Sequence, residues 1–136
     1  MKTVREVMVS PVVTATPRDT LADLFTLSQR RQVRHFPVVE NERLVGIVTD
    51  RNLREAATHP AVYNLLLDLL ASLDRATVEQ IMVREVITVT ANTSLRDAAK
   101  LMRERRVGCL PVVEDGRLIG IVTASDLLGV LAAHDG

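Results

Sequence analysis

The run Phe36-Pro-Val-Val-Glu-Asn-Glu-Arg-Leu-Val-Gly-Ile-Val-Thr49 returns, little changed, as Leu110-Pro-Val-Val-Glu-Asp-Gly-Arg-Leu-Ile-Gly-Ile-Val-Thr123. Each copy is a pair of short apolar segments on either side of a tight turn. Asp115-Gly116 is a strong hairpin dipeptide, because both residues tolerate the positive φ that such turns demand, and Asn41-Glu42 holds the same place in the first copy. The Val- and Ile-rich segments suit strands buried on both faces. An offset of 74 residues superposes the two copies and extends outward from them without a gap. It lays Val4-Arg-Glu-Val-Met-Val9 on Val78-Glu-Gln-Ile-Met-Val83. Between Val4 and Arg54, 22 of 51 aligned positions are identical. The chain is therefore a duplication, and two halves related by a pseudo-two-fold axis are expected.

Each half opens with a short helix (Val4 to Met8; Val78 to Met82) and a β-rich stretch (Val12 to Thr16; Val86 to Thr90). Thr20 and Ser94 then stand where N-caps belong, each with an Asp three residues on, an acidic variant of the capping box. Leu21, Leu24 and Phe25, like Leu95, Ala98, Ala99 and Met102, follow at helical spacing. The hairpin comes next, and a last helix begins after each Gly-Ile-Val-Thr. The order β-α-β-β-α in each half gives an α+β fold, with small sheets packed together and helices outside. The expected domains are a first repeat over residues 1–59, an apolar connecting helix over 60–74 and a second repeat over 75–136. A half of roughly 55 residues buries little surface alone, so the halves are expected to share their burial.

Composition narrows the function classes. Hydrophobic residues make up 47% of the 136 and aromatics only 2%, so the core must be aliphatic. Lys plus Arg and Asp plus Glu are 17 each, which leaves no net field to recruit nucleic acid or an anionic membrane. Cys109 is the single cysteine and can form neither an internal disulfide nor a zinc site by itself. No signal peptide is visible, and the apolar stretch from Leu65 to Leu73 is too short to span a bilayer. A soluble cytoplasmic protein is expected. No nucleophile–base pair, metal-ligand cluster or phosphate-binding glycine loop is evident, and His35, His59 and His134 lack partners at ligand spacing. The expectation is a protein that is not an enzyme and does not turn over ATP.

The Pro-Val-Val-Glu strand, the Gly-Ile-Val-Thr strand, the order of elements and the duplication together resemble a tandem pair of cystathionine-β-synthase (CBS) domains, a Bateman module, over nearly the whole chain. The resemblance implies a regulatory module that binds an adenosine compound in clefts between its halves and signals to a partner. AMP, ADP or ATP is the implied ligand, with S-adenosylmethionine or a dinucleotide as alternatives, and no cofactor is required. A ligand-free dimerisation or scaffold module is the competing reading. In the family, a Thr/Ser-x-x-Asp motif after the last strand holds the ribose, because a carboxylate accepts from both vicinal hydroxyls. Thr123-Ala-Ser-Asp126 matches fully, while Thr49-Asp-Arg-Asn52 has Asn for Asp. Read without the resemblance, the same residues simply cap the final helices.

Basic residues before the Pro-Val-Val strand reach the ligand's phosphates in such proteins. Arg34 and His35 occupy that place in the first half, but Gly108 and Cys109 do so in the second. The alternative for Arg34 is a solvated helix end beside Arg30 and Arg31, and for His35 a partly buried strand residue. Thr14, Thr16, Thr88 and Thr90 resemble the segments that line the adenine pocket, or are ordinary strand threonines. In the family the ribose Asp of one half works with the cations of the other, and the resemblance therefore implies that Asp126 joins Arg34 and His35 in one good site per chain. The opposite cleft, with Asn52, Gly108 and Cys109, lacks both charges. A homodimer is expected, its interface either on the leucine-rich helix over 60–73 or on the helices of the two halves. A stand-alone pair would act on an unidentified protein target in trans.

Overall fold

In a computed structural model of the chain, residues 2–58 and 75–133 are described. The elements run α1 (Val4–Val7), α2 (Leu21–Arg31), β1 (His35–Glu40), β2 (Arg43–Thr49), α3 (Asp50–Thr58), α4 (Val78–Ile81), α5 (Leu95–Arg105), β3 (Cys109–Glu114), β4 (Arg117–Thr123) and α6 (Ala124–Ala133). The class is α+β, built on small antiparallel sheets. The connecting helix expected over 60–74, with its leucines, and His59 and His134 lie outside the described residues. Among the described residues no helix is long and apolar enough to cross a membrane.

Local chemistry explains most of the elements. Thr20 Oγ1 accepts the Asp23 N–H and Ser94 Oγ accepts the Asp97 N–H, each at 3.1 Å, which fixes the starts of α2 and α5. Both hairpin turns place their central residues at positive φ, Asn41 and Glu42 at 53° and 68°, Asp115 and Gly116 at 53° and 80°. That conformation matches the twist of the flanking strands. Each hairpin also carries one bulge, at Val38/Val39 and at Val112/Val113. The early β-rich stretches are shorter than the sequence suggests. Among the described residues, only Ala15 and Val89 of these stretches make ladder contacts, as single parallel bridges to Val38 and Val112. Ala99, expected on the inner face of α5, is exposed.

The chain forms two compact units whose boundaries differ from those of the repeats: residues 13–86 form one, and 1–12 with 87–136 the other. The opening segment of each repeat has been exchanged. In the β3–β4 unit, Val4 is fully buried among Val89, Ala98, Leu110, Val112 and Val122. Helix α1 hangs there by Val4 N–H to the Thr93 carbonyl (2.8 Å) and Arg5 N–H to that of Ala91 (3.0 Å), and Val9 bridges Ile121. In the β1–β2 unit, Val78 is buried beside Leu24, Phe36, Val38, Val48 and Leu53. Helix α4 hangs by Val78 N–H to the Asp19 carbonyl (2.8 Å), and Val83 bridges Ile47. Each hairpin is thus completed by the segment that opens the other repeat.

The exchange explains the glycine of each Gly-Ile-Val-Thr. A Cβ on Gly120 would lie 2.6 Å from Met8 Sδ and 3.2 Å from the Val9 carbonyl oxygen. On Gly46 it would lie 2.7 Å from Met82 Sδ and 3.1 Å from the Val83 oxygen. The thioether can swing aside, but the Val9 oxygen is held by the Ile121 N–H at 3.1 Å and the Val83 oxygen by the Ile47 N–H at 2.9 Å. Overpacking costs about 1–3 kcal/mol, partly offset by the roughly 0.4–1 kcal/mol that Gly→Ala gains through the unfolded chain. Gly120→Ala and Gly46→Ala should each lower the stability measured by urea unfolding by about 1–2 kcal/mol. A variant as stable as the parent would show that the exchanged segment yields freely.

Candidate functional site

Strand β4 ends at Thr123 and α6 starts at the next residue, so Thr123 and Asp126 meet across one tight turn. Thr123 N–H donates to Asp126 Oδ2 at 2.8 Å, and Asp126 N–H donates to Thr123 Oγ1 at 3.2 Å. The pair is a reciprocal cap, so the helix-capping reading of this motif holds in the structure. Capping does not exhaust the pair. Asp126 Oδ1 and the hydroxyl hydrogen of Thr123 have no partner among the described residues, and both side chains are half-buried. A fixed turn thus presents one anionic acceptor and one donor, the complement of a sugar's hydroxyls. Beside them, the Gly108 carbonyl accepts the Ala124 N–H at 2.9 Å, and Cys109 pairs with Thr123 across the hairpin. Cys109 is buried, and burial pushes its thiol up to about 12, so it stays protonated and unreactive.

The β1–β2 unit repeats the turn with different atoms. Asn52 Oδ1 accepts both the Thr49 N–H and the Thr49 hydroxyl, each at 2.9 Å, and Asn52 N–H donates to Thr49 Oγ1 at 3.2 Å. The Arg34 carbonyl accepts the Asp50 N–H at 2.7 Å, and His35 pairs with Thr49. Within their own unit, therefore, Arg34 and His35 lie beside Thr49. Arg34 is exposed, as are Arg30 and Arg31 near the end of α2. Arg51 is exposed and holds Glu55 at 3.1 Å across one turn of α3.

His35 is half-buried, and its pKa lies below the ordinary 6.5, first because burial disfavours the charged ring and second because Arg34 repels it, against a smaller opposing pull from Asp50. At neutral pH its ring is uncharged, so Arg34 is the standing cation of this pair. The sign of the linkage follows. The unfolded chain takes up the proton at higher pH than the folded one, so stability is greatest above about 6.5 and is lost as the pH falls below it, levelling off below the folded pKa. His35→Gln should flatten the drop in urea midpoint between pH 8 and pH 5.5. An unchanged drop would place its origin elsewhere.

The four threonines fall into two kinds. Thr16 N–H and hydroxyl both reach Asp19, at 2.8 and 2.9 Å, and Thr90 N–H reaches Thr93 Oγ1 at 3.1 Å, so these two brace the turns before α2 and α5. Thr14 and Thr88 make no side-chain hydrogen bond among the described residues. Thr88 and Thr90 line an open groove of about 440 Å³ with Thr93, Asp97, Lys100 and Leu101, and Thr123 and Asp126 are not on it. Asp19 and Thr93 escaped the sequence reading, although each follows a threonine by three residues, the spacing of a side-chain turn.

Two copies of one α+β unit, each ending in a Thr-x-x-Asp or Thr-x-x-Asn turn, define the class, and the comparisons agree. The CBS-domain family model matches residues 4–59 and 78–133. The chain belongs to the CBS-domain family. A CBS domain-containing protein of Dictyostelium discoideum is 41% identical over 116 residues, covering 83% of this chain and 80% of that one. Among solved structures, CBSX2 in complex with AMP superposes with a TM-score of 0.83 at 27% identity, covering all of both chains. The CBS domain pair of protein MJ0100, in complex with 5'-methylthioadenosine and S-adenosyl-L-methionine, gives 0.81 at 25% identity, covering 97% of each.

Proposed function

We propose that the protein is a regulatory module that binds an adenosine compound and passes its occupancy to a partner. The observation that carries this is that Asp126 Oδ1 and the hydroxyl hydrogen of Thr123 have no partner among the described residues, while a cap through Asp126 Oδ2 and Thr123 Oγ1 fixes both side chains. The likeness to structures named for AMP and for S-adenosyl-L-methionine supports an adenosyl ligand. Thr123 and Asp126 take the ribose hydroxyls, Arg34 supplies the phosphate cation, and neutral His35 contributes a ring N–H. The assignment of Arg34 and His35 to the ligand rests on the asymmetry of the repeats, since Gly108 and Cys109 offer no charge. Thr14 and Thr88, whose side chains make no hydrogen bond among the described residues, are the threonines that meet a base. Thr49 and Asn52 form the weaker half, with one good site per chain.

The module carries out no chemistry of its own and acts in the cytoplasm, as a homodimer, on a protein target in trans. A thermal-shift panel of AMP, ADP, ATP and S-adenosylmethionine tests the reading, because a ligand that binds only the native state raises apparent stability. A gain of about 2–4 kcal/mol at 100 to 1,000 times Kd is expected for at least one of them. No shift with any member would leave the ligand-free scaffold as the better account.

A further inference from the structure

Asn52 stands at the same turn as Asp126, and the cap itself decides which of its two terminal atoms is left over. A backbone N–H can only donate, so the Asn52 atom 2.9 Å from Thr49 N must be the carbonyl oxygen. The Thr49 hydroxyl spends its own hydrogen on that same oxygen. Nδ2, with two N–H donors, is turned the other way and has no acceptor among the described residues. Asp126 serves the equivalent cap with Oδ2 alone, and Thr123 keeps its hydroxyl hydrogen. The two turns share a backbone form and expose opposite hydrogen-bonding polarity. One offers an anionic acceptor and a donor, the other amide donors only.

A pair of vicinal hydroxyls gives up two hydrogens to a carboxylate, whereas an outward amide cannot take them and can only donate to the hydroxyl oxygens, without charge assistance. The neighbours reinforce the bias, since Arg34, whose carbonyl receives the Asp50 N–H, brings only donors, and the Asp50 carboxylate is held by Arg54 at 3.3 Å. We infer that Asn52 is a specificity determinant which turns the β1–β2 unit's half-site against a ribose diol and toward a ligand group that accepts hydrogen bonds, such as a carboxylate, carbonyl or phosphate oxygen. The inference deepens the proposed function and rests on it.

Asn52→Asp is the decisive variant. The β3–β4 unit already shows that a carboxylate fits this cap, with the backbone N–H satisfied at 2.8 Å, so the variant should fold. Calorimetric titration of the full chain with AMP should rise from about one ligand per chain to about two, the new site gaining at least ~10-fold in affinity. An Asn52→Asp protein that stays at about one, while the parent binds one, overturns the inference and leaves the proposed function standing. A parent and an Asn52→Asp protein that both bind no AMP overturn the proposed function and the diol assignment with it. A readout without ligand isolates the amide. The Asn52 side-chain NH2 pair should exchange with water as fast as a free asparagine in nuclear magnetic resonance, and a protected pair would show that Nδ2 is not the outward group.

Discussion

Asp126→Ala should abolish adenine-nucleotide binding while leaving a folded protein. A carboxylate that accepts two hydroxyl hydrogens makes two charge-assisted hydrogen bonds of about 1.5–3 kcal/mol each, so Kd should rise at least ~100-fold in calorimetric titration with AMP. The same substitution also removes the cap on α6, at about 0.5–2 kcal/mol of stability, and the two effects must be separated. Asp126→Asn separates them. An asparagine here would cap with its oxygen, as Asn52 does in the other unit, and would turn its amide outward. It should keep the stability and still lose the ligand. If Asp126→Ala and Asp126→Asn both bind AMP as the parent does, Asp126 is a cap and nothing more.

Phe36→Ala should be the most destabilising single truncation in the β1–β2 unit. Phe36 is fully buried, opposite Val48, in the cluster formed with Leu24, Val38, Leu53 and Val78. Phe→Ala in a closed core costs about 3–5 kcal/mol, the lost transfer energy plus the cavity left behind. Against a typical total of 5–15 kcal/mol that is a large share, and the melting temperature should drop by roughly 10–20 °C. The second unit holds Leu110 at the equivalent place, also fully buried, and Leu110→Ala should cost about 2–5 kcal/mol. A loss under about 1 kcal/mol for Phe36→Ala in urea unfolding would mean that the cluster collapses around the vacancy.

What could be read in the sequence was what neighbours along the chain decide. Asn41-Glu42 and Asp115-Gly116 announced both hairpins, and Thr20 and Ser94 announced both caps, because each signal needs only three or four consecutive residues. The strands expected over Val12 to Thr16 and Val86 to Thr90 shrank to single bridges, since pairing there depends on what β1 and β3 offer, not on local propensity. The exchange of opening segments was invisible for the same reason: Val4 and Val78 read alike whichever core they enter. At the candidate site the residues Thr49, Asn52, Thr123 and Asp126 were legible as a motif. Which atom of Asn52 would be left over was not, because a backbone N–H makes that choice.

The exchanged opening helices also bear on the history and handling of the fold. A solitary repeat, carrying its own hairpin and its own opening helix, would have one core without a lid and one lid without a core. Two identical copies could repair each other by trading those segments, which is domain swapping between protomers. Fusing the copies turns that intermolecular trade into the internal one seen here, where Val4 seals one hairpin and Val78 the other. Fragments severed within residues 60–74 would each be incomplete and mutually complementary, like the halves of a split reporter.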